Sequence, residues 1–206
     1  QAAMNIFENL TPDQLIEKAL ERNEGVLTDR GALAADTGEF TGRSPKDKFT
    51  VCDSKTEDTV WWGPVNFKFT PEKFDALLAK VLDHYKGKEL FVRDAYACAH
   101  TDFKLNIKVV TETAYQNLFA NNLFLRPNAG DNTDTEWLIL AAPSFKANAE
   151  LDGTRQHNFS IINFSKKIIL IGGSGYTGEL KKGIFTVLNY ILPQEKGVLS
   201  MHCSAN

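Results

Sequence analysis

Cysteine is scarce in this sequence, and no two cysteines are spaced as a disulfide or metal-binding pair would be. The three cysteines, Cys52, Cys98 and Cys203, lie far apart. An odd number of isolated cysteines is typical of free thiols in a reducing compartment. The chain also opens on a polar, helix-forming stretch instead of an apolar secretory signal. We therefore expect a cytoplasmic protein.

Long hydrophobic runs and an excess of one charge are absent as well. The longest apolar runs, such as residues 137–143 and 168–171, have the length of strands, whereas a membrane helix needs ~18 apolar residues. The 23 basic and 26 acidic side chains give a net charge of −3, which offers no basic surface to a nucleic acid. We therefore expect neither a membrane nor a nucleic acid as a partner.

Four helices are predicted from caps and apolar periodicity. Thr11 and Thr70 each precede a proline, which is the pattern of an N-cap followed by the first helical residue. The second of these helices is expected to end at Gly87. A short helix is predicted over residues 114–121, and a longer one over residues 179–190 that must end near Pro193.

Strand patterns occur between these helices. They cover residues 90–92, 105–111, 137–141, 159–164, 167–171 and 198–201, and residues 128–135 have the composition of a loop. Strands and helices are interspersed without a strict alternation, which favours one α/β domain with a mixed β-sheet flanked by helices. We set residues 1–3 aside as a cloning remnant and interpret residues 4–206 as a single domain.

The first segment rich in chemistry is residues 34–49, AADTGEFTGRSPKDKF. Glycine and proline impose a defined loop here, and Arg43 follows Gly42 directly. The planar guanidinium group of an arginine suits a carboxylate or a phosphate. Arg43 is therefore a candidate anion-binding residue, although a solvated basic turn has the same composition.

The second such segment is residues 172–183, GGSGYTGELKKG. Gly173, Gly175 and Gly178 form a G-x-G-x-x-G pattern between a strand and a helix, as in dinucleotide-binding folds. The acidic residue that should bind the ribose is missing after the next strand, which argues against a nicotinamide-dependent oxidoreductase. Glu179 stands where a Walker A loop has its lysine, so that motif is not present either.

The same segment contains Tyr176 and the adjacent pair Lys181 and Lys182 at the predicted helix start. Two neighbouring ammonium groups repel each other, and this lowers the cost of deprotonating one of them. Such a lysine can bind a metal or an anion, although a solvated lysine pair on a helix surface is the common case. His202 at the end of a predicted strand is a second candidate ligand, and a structural histidine is the alternative.

Six motifs in the same order make the chain resemble the ATP-dependent phosphoenolpyruvate carboxykinases, specifically their N-terminal domain. The motifs cover nearly the whole chain: GALAADTG at 31–38, TGRSPKDKF at 41–49, WWGPVN at 61–66, FLRP at 124–127, GELKKGIF at 178–185 and SMHCSAN at 200–206.

The resemblance implies the conversion of oxaloacetate and ATP into phosphoenolpyruvate, ADP and CO₂, a reaction of gluconeogenesis, with Mn²⁺ and Mg²⁺. Arg43 would bind the substrate carboxylate, and Tyr176 would lie beside the substrate. Lys182 would contact the substrate, and with His202 would ligate Mn²⁺ near the nucleotide γ-phosphate. Lys181 would supply a further catalytic cation.

In that family the phosphate-binding loop and a metal-binding aspartate follow the position of His202. We therefore expect a truncated substrate-binding domain that is inactive alone and that partners its own C-terminal nucleotide-binding domain in the parent protein. A non-catalytic carboxylate- or phosphate-binding module, for which Arg43 and Lys182 suffice, remains the alternative.

Overall fold

The computed structural model describes residues 5–201 of the chain. His202 and Cys203, which the sequence analysis singled out, lie outside these residues. Within residues 5–201, no helix combines the length and the apolar character needed to span a bilayer.

Residues 5–201 contain five α-helices. They are α1 (Pro12–Glu21), α2 (Pro71–His84), α3 (Ala114–Leu123), α4 (Ala149–Asp152) and α5 (Gly178–Lys196). The two predicted threonine caps are confirmed, since Thr11 accepts a hydrogen bond from the Gln14 amide and Thr70 accepts one from the Lys73 amide. At Thr11 the Gln14 side chain also accepts from the Thr11 amide, which completes a capping box.

Ten strands in the described part of the chain form two sheets. They are β1 (Asn5–Glu8), β2 (Gly25–Leu27), β3 (Leu33–Ala35), β4 (Lys48–Val51), β5 (Phe67–Phe69), β6 (Glu89–Ala97), β7 (Leu105–Thr111), β8 (Trp137–Ala142), β9 (Phe159–Asn163) and β10 (Ile168–Gly172). β2 and β3 form a small hairpin, and the other eight strands form one sheet in the order β1-β6-β7-β8-β10-β9-β4-β5.

The large sheet is mixed, as predicted. β7, β8 and β10 are parallel to one another, whereas β10 is antiparallel to β9, and β4 is parallel to β9. β4 therefore runs opposite to β10. The segment before β4 and the segment after β10 consequently meet at the same edge of the sheet, and these are the two segments that the sequence analysis singled out.

Helices cover both faces of the sheet. Alternate residues of β10 point to opposite faces, so that Ile169 and Ile171 pack with α5 while Leu170 packs in the cluster that contains Phe74 and Leu77 of α2. A strand buried on both faces is a continuous apolar run, which is the pattern of residues 168–171.

Two predictions at the C-terminal end are wrong. α5 continues through Pro193 and ends at Lys196, because a proline near the C-terminal end of a helix removes only one of its last hydrogen bonds. Gly197, in the left-handed conformation (φ 65°), then ends the helix. Residues 198–201 form no strand, and the Val198 amide instead donates to the Leu192 carbonyl in the helix cap.

Candidate functional site

The residues around Arg43 are anchored to the sheet edge by a buried carboxylate. Asp47 is 2% exposed and lies in the short 3-10 turn Pro45–Asp47 before β4. Its two oxygens accept hydrogen bonds from Nε and Nη2 of Arg155, both at 2.8 Å, and Gln156 donates a third at 2.9 Å. Bidentate pairing fixes direction as well as distance, so this contact sets the path of the loop that carries Arg43.

The glycines of the second segment allow close packing within the protein. A Cβ atom on Gly175 would lie 2.5 Å from both the Thr37 carbonyl oxygen and the Tyr115 hydroxyl oxygen. One on Gly178 would lie 2.4 Å from the Tyr176 ring. Gly175 therefore serves the contact between the two loops, because backbone of the first loop blocks a larger residue there, whereas Gly178 packs against the Tyr176 ring of its own segment. A dinucleotide is not needed to explain either glycine.

Tyr115 ties this segment to α3. Its hydroxyl donates a hydrogen bond of 2.8 Å to the Gly175 carbonyl, and burial raises the pKa of this phenol, with a further contribution from the charge of Glu24. The contact holds the segment that carries Tyr176, whose half-exposed side chain lies directly before α5.

Lys182 lies where the two segments meet. Desolvation lowers the pKa of its ammonium group, and the positive charges of Arg43, Lys48 and Lys181 lower it further. Arg43 itself is exposed, and the influence of its charge indicates that it lies near Lys182 despite their separation in sequence. The Lys182 ammonium lies 5.1 Å from the centre of the Phe185 ring.

A small pocket of about 60 Å³ opens beside Lys182. It is lined by residues of β4, β9 and α5, together with part of the 61–66 motif: Lys48, Phe49, Thr50, Val65, Asn66, Ser160, Ile162, Lys182, Gly183 and Thr186. Lys48 and Lys182 are its charged residues, so the pocket is positively charged.

Lys181 lies on a neighbouring face of α5, since adjacent helix residues are about 100° apart. It lines an apolar groove with Cys98, Leu125 and Leu188, and not the pocket that contains Lys182. The charge of Lys181 still lowers the pKa of Lys182, although the two lysines border different cavities. They close the first turn of α5 and open the second, because the helix begins at Gly178.

The described residues contain one of the two expected metal ligands. No group of three or more histidine, cysteine, aspartate or glutamate side chains in residues 5–201 is arranged to hold a metal ion. A lysine whose pKa is lowered fits the neutral amine that a metal ligand must present. His202, the other candidate ligand, lies outside the described residues.

Two residues of the site were not predicted as functional. Lys48 belongs to the TGRSPKDKF motif but was not separated from its other cations, and Glu179 was noted only as the residue that replaces a Walker lysine. Their signal is structural: Lys48 Nζ lies 3.4 Å from Oε2 of Glu179, whose side chain is 5% exposed.

The comparisons with known proteins agree with the resemblance. The sequence model of the phosphoenolpyruvate carboxykinase family matches residues 4–206. Proteins named phosphoenolpyruvate carboxykinase (ATP) from Christiangramia forsetii, Flavobacterium johnsoniae and Bacillus subtilis are 56%, 55% and 49% identical to this chain. The alignments cover 98%, 96% and 98% of the chain, but only 38%, 37% and 39% of these relatives. The chain therefore belongs to the phosphoenolpyruvate carboxykinase (ATP) family and spans a little over a third of the length of these members.

Proposed function

We propose that residues 4–206 are the N-terminal substrate-binding domain of a phosphoenolpyruvate carboxykinase (ATP), in which this chain binds oxaloacetate and phosphoenolpyruvate. The observation that supports this most is the group of cations around Lys182, to which Arg43, Lys48 and Lys181 contribute their charges. Oxaloacetate carries two carboxylates, and such a ligand relieves the mutual repulsion of closely placed cations.

The proposed reaction converts oxaloacetate and ATP into phosphoenolpyruvate, ADP and CO₂, as a step of gluconeogenesis. The C–C bond to one carboxylate breaks, CO₂ leaves, and the bonding electron pair becomes an enolate. The enolate oxygen then forms a bond to the γ-phosphorus of ATP while the bond to ADP breaks. Negative charge develops at the enolate and then moves to the phosphates, so fixed positive charge is what the site must supply.

Each candidate residue has a role in this scheme. Arg43 holds the substrate carboxylate, and Tyr176 packs beside the substrate. Lys182 contacts the substrate and, together with His202, would hold Mn²⁺, while Lys181 adds positive charge from the neighbouring face of α5. When bound, Mn²⁺ and Mg²⁺ supply positive charge to the enolate and the phosphates.

Turnover is proposed to need a longer protein than this chain. The relatives are more than twice as long, and the sequence of this chain has no Walker A loop to hold the β- and γ-phosphates. A C-terminal nucleotide-binding domain is the proposed partner. The purified 206-residue chain should therefore bind oxaloacetate without producing phosphoenolpyruvate.

Titration of the chain with oxaloacetate, followed by amide chemical shifts in NMR spectra, tests the proposal. We expect saturable binding that Arg43→Met weakens by about tenfold or more, the typical effect of losing a charge-assisted contact. Arg30→Met is a matched control, because Arg30 is exposed and makes no hydrogen bond or ion pair with other residues in the 5–201 range. Equal weakening by both variants, or binding of NADH in place of oxaloacetate, would contradict the assignment.

A further inference from the structure

Glu179 has surroundings that are unusual for a carboxylate. It lies in the first turn of α5, its side chain is 5% exposed, and neither of its oxygens takes part in a hydrogen bond with any described residue. A buried charge without hydrogen bonds is costly, and native proteins rarely retain one without a compensating contact. The residue that offsets the buried negative charge of Glu179 is therefore a candidate for a specific role in the site.

Lys48 is the ion-pair partner of Glu179. The ammonium nitrogen lies 3.4 Å from Oε2, close enough for strong attraction but longer than a well-formed charge-assisted hydrogen bond. Among residues 5–201, Lys48 donates no side-chain hydrogen bond, and its side chain is 29% exposed. Its three N–H groups thus remain available to a ligand while the carboxylate holds the charge in place.

The position of Lys48 directs this charge at the pocket beside Lys182. Lys48 begins β4 and pairs in register with Ser160 of β9, and both residues line the pocket with Lys182. The pocket volume of about 60 Å³ has room for a carboxylate or a phosphoryl group. Two lysines on different elements, β4 and α5, can therefore contact one small anionic group.

We propose that Lys48 is a further anion-binding residue of this site and that the buried Glu179 carboxylate is the positioning residue that keeps the Lys48 ammonium in the pocket wall. The proposal rests on the proposed function for the identity of the anion, a carboxylate or phosphoryl group of the substrates. Its geometry rests on the ion pair and the pocket alone.

The reason for such a device is the repulsion among the cations of the site. The charges of Arg43 and Lys48 both act on Lys182, and a lysine side chain is flexible enough to turn toward solvent. A buried counter-charge behind Lys48 opposes that movement. Because Glu179 is enclosed, it attracts Lys48 without itself occupying the ligand pocket.

Binding of two probes, oxaloacetate and inorganic phosphate, tests the role of Lys48. Lys48→Met should weaken the binding of the probe that occupies the pocket by about tenfold, whereas Lys48→Arg should retain most of the affinity. Lys46→Met is the matched control: it removes the same charge two residues away, and Lys46 is exposed and makes no ion pair or hydrogen bond within the described part of the chain. The control should change the affinity by less than about twofold. Equal effects of Lys48→Met and Lys46→Met would overturn the proposal.

A double-mutant cycle tests the role of Glu179. Glu179→Gln should weaken binding by about fivefold in the native background and have no further effect beside Lys48→Met, since Glu179 acts through Lys48. A glutamate that acted only as a nearby negative charge would give the opposite sign: Glu179→Gln would strengthen anion binding, and equally so in both backgrounds. That result, or simple additivity, would overturn the positioning role. If Glu179→Gln does not fold, the comparison of Lys48→Met with Lys46→Met still decides whether Lys48 binds the anion.

The two probes separate this inference from the proposed function. Lys48-dependent binding of phosphate without any binding of oxaloacetate supports the inference and contradicts the substrate assignment for this chain. Binding of oxaloacetate that requires Arg43 but not Lys48 supports the substrate assignment and contradicts the inference about Lys48. If neither probe binds at millimolar concentration, Lys48 is not an anion-binding residue of this chain.

Discussion

Arg93 and Lys182 differ in what surrounds their positive charges. Arg93, on β6, is 5% exposed, and its donors are engaged by Asn117 Oδ1 at 3.0 Å, Asn121 Oδ1 at 2.9 Å and the Leu10 carbonyl. Lys182 is half-exposed, and its ammonium group lies over the Phe185 ring and donates no hydrogen bond to the other residues that the structure describes.

The difference separates a structural cation from one that is available to a ligand. Burial, together with the charge of Arg126, lowers the pKa of Arg93, and three hydrogen bonds offset the cost of that burial. Lys182 is surrounded by other cations, and the charges of Arg43, Lys48 and Lys181 lower the pKa of its ammonium group. A cation whose nitrogens all donate hydrogen bonds within the fold stabilises the fold, whereas one with an unengaged ammonium beside a pocket is available to a ligand.

The largest effect is expected from Arg93→Met. This substitution leaves Asn117 and Asn121 without the buried donor that both now share, and we expect it to lower the free energy of unfolding by about 3 kcal/mol. Urea denaturation followed by circular dichroism measures this loss. Arg93→Lys should recover little, because one ammonium group cannot reproduce the planar fork that reaches separate acceptors.

Binding by the same variant sharpens the comparison. Under conditions where Arg93→Met remains folded, its affinity for oxaloacetate should match that of the native chain. A loss of affinity without a loss of stability would place Arg93 with the ligand-binding cations and remove the distinction.

The opposite pattern is expected for Lys182 in a full-length family member that carries this domain. A metal ligand needs a lone pair, which a neutral lysine can provide but an arginine, always protonated, cannot. Lys182→Arg should therefore be nearly as damaging as Lys182→Ala, with both lowering turnover by about 100-fold, or roughly 2.7 kcal/mol. Turnover and Mn²⁺ affinity are the measurements.

Two further results complete that test. Lys181→Arg should be milder, because Lys181 borders a different cavity. The stability of the 206-residue chain should change by less than about 0.5 kcal/mol in each variant. Should Lys182→Arg keep most of its Mn²⁺ affinity and activity, Lys182 supplies charge and does not bind the metal.

The buried cation also explains what the sequence analysis missed in the fold. It predicted a strand over residues 90–92, but β6 extends from Glu89 to Ala97. Arg93 occupies an inward position of that strand between Phe91 and Ala95, which interrupts the expected alternation of apolar and polar residues. Its inward position depends on Asn117 and Asn121 of α3, and such tertiary partners cannot be read from local sequence.

Short strands were missed for a related reason. β4 and β5 have four and three residues, and they form because each pairs with a neighbour at one side of the sheet. The long buried strand β7 was predicted with its correct bounds, since its apolar residues alternate cleanly. The local sequence pattern therefore predicts a strand correctly when the strand is long enough to show an alternation of apolar and polar residues.

The candidate site divides in the same way. Arg43 and Lys182 were predicted as candidates from glycine-rich context and charge, because unusual residue types cluster there in sequence. Lys48 and Glu179 were missed because their relation depends on the antiparallel arrangement of β4 and β10, which brings two distant segments to one edge. His202 remains a prediction, as it lies outside the described residues.

The smallest effect is expected at a buried hydroxyl group that lacks a hydrogen-bond partner. Tyr85, at the end of α2, is 3% exposed, and its hydroxyl takes part in no hydrogen bond with any residue in the described range. Tyr85→Phe removes this unpaired group without changing the shape of the core, so it should raise stability at pH 7 by about 0.5–1 kcal/mol. Tyr190→Phe is the control with the opposite sign, since the Tyr190 hydroxyl lies 2.7 Å from Thr59 Oγ1 and donates to the Lys55 carbonyl.

The pH dependence of the stability difference between Tyr85→Phe and the native chain gives a second test. Burial, and then the charge of Glu112, raises the pKa of Tyr85 above the value of about 10 expected in the unfolded chain. Stability due to the neutral phenol is therefore complete below pH ~10 and is lost as the pH rises further, because the unfolded state then releases its proton while the folded state retains it. Tyr85→Phe cannot suffer this loss, so its advantage over the native chain should grow by about 1.4 kcal/mol per pH unit above pH ~10. Urea denaturation at pH 7, 10 and 11 measures the advantage, and a constant difference across these values would show that the Tyr85 hydroxyl is not held neutral by burial.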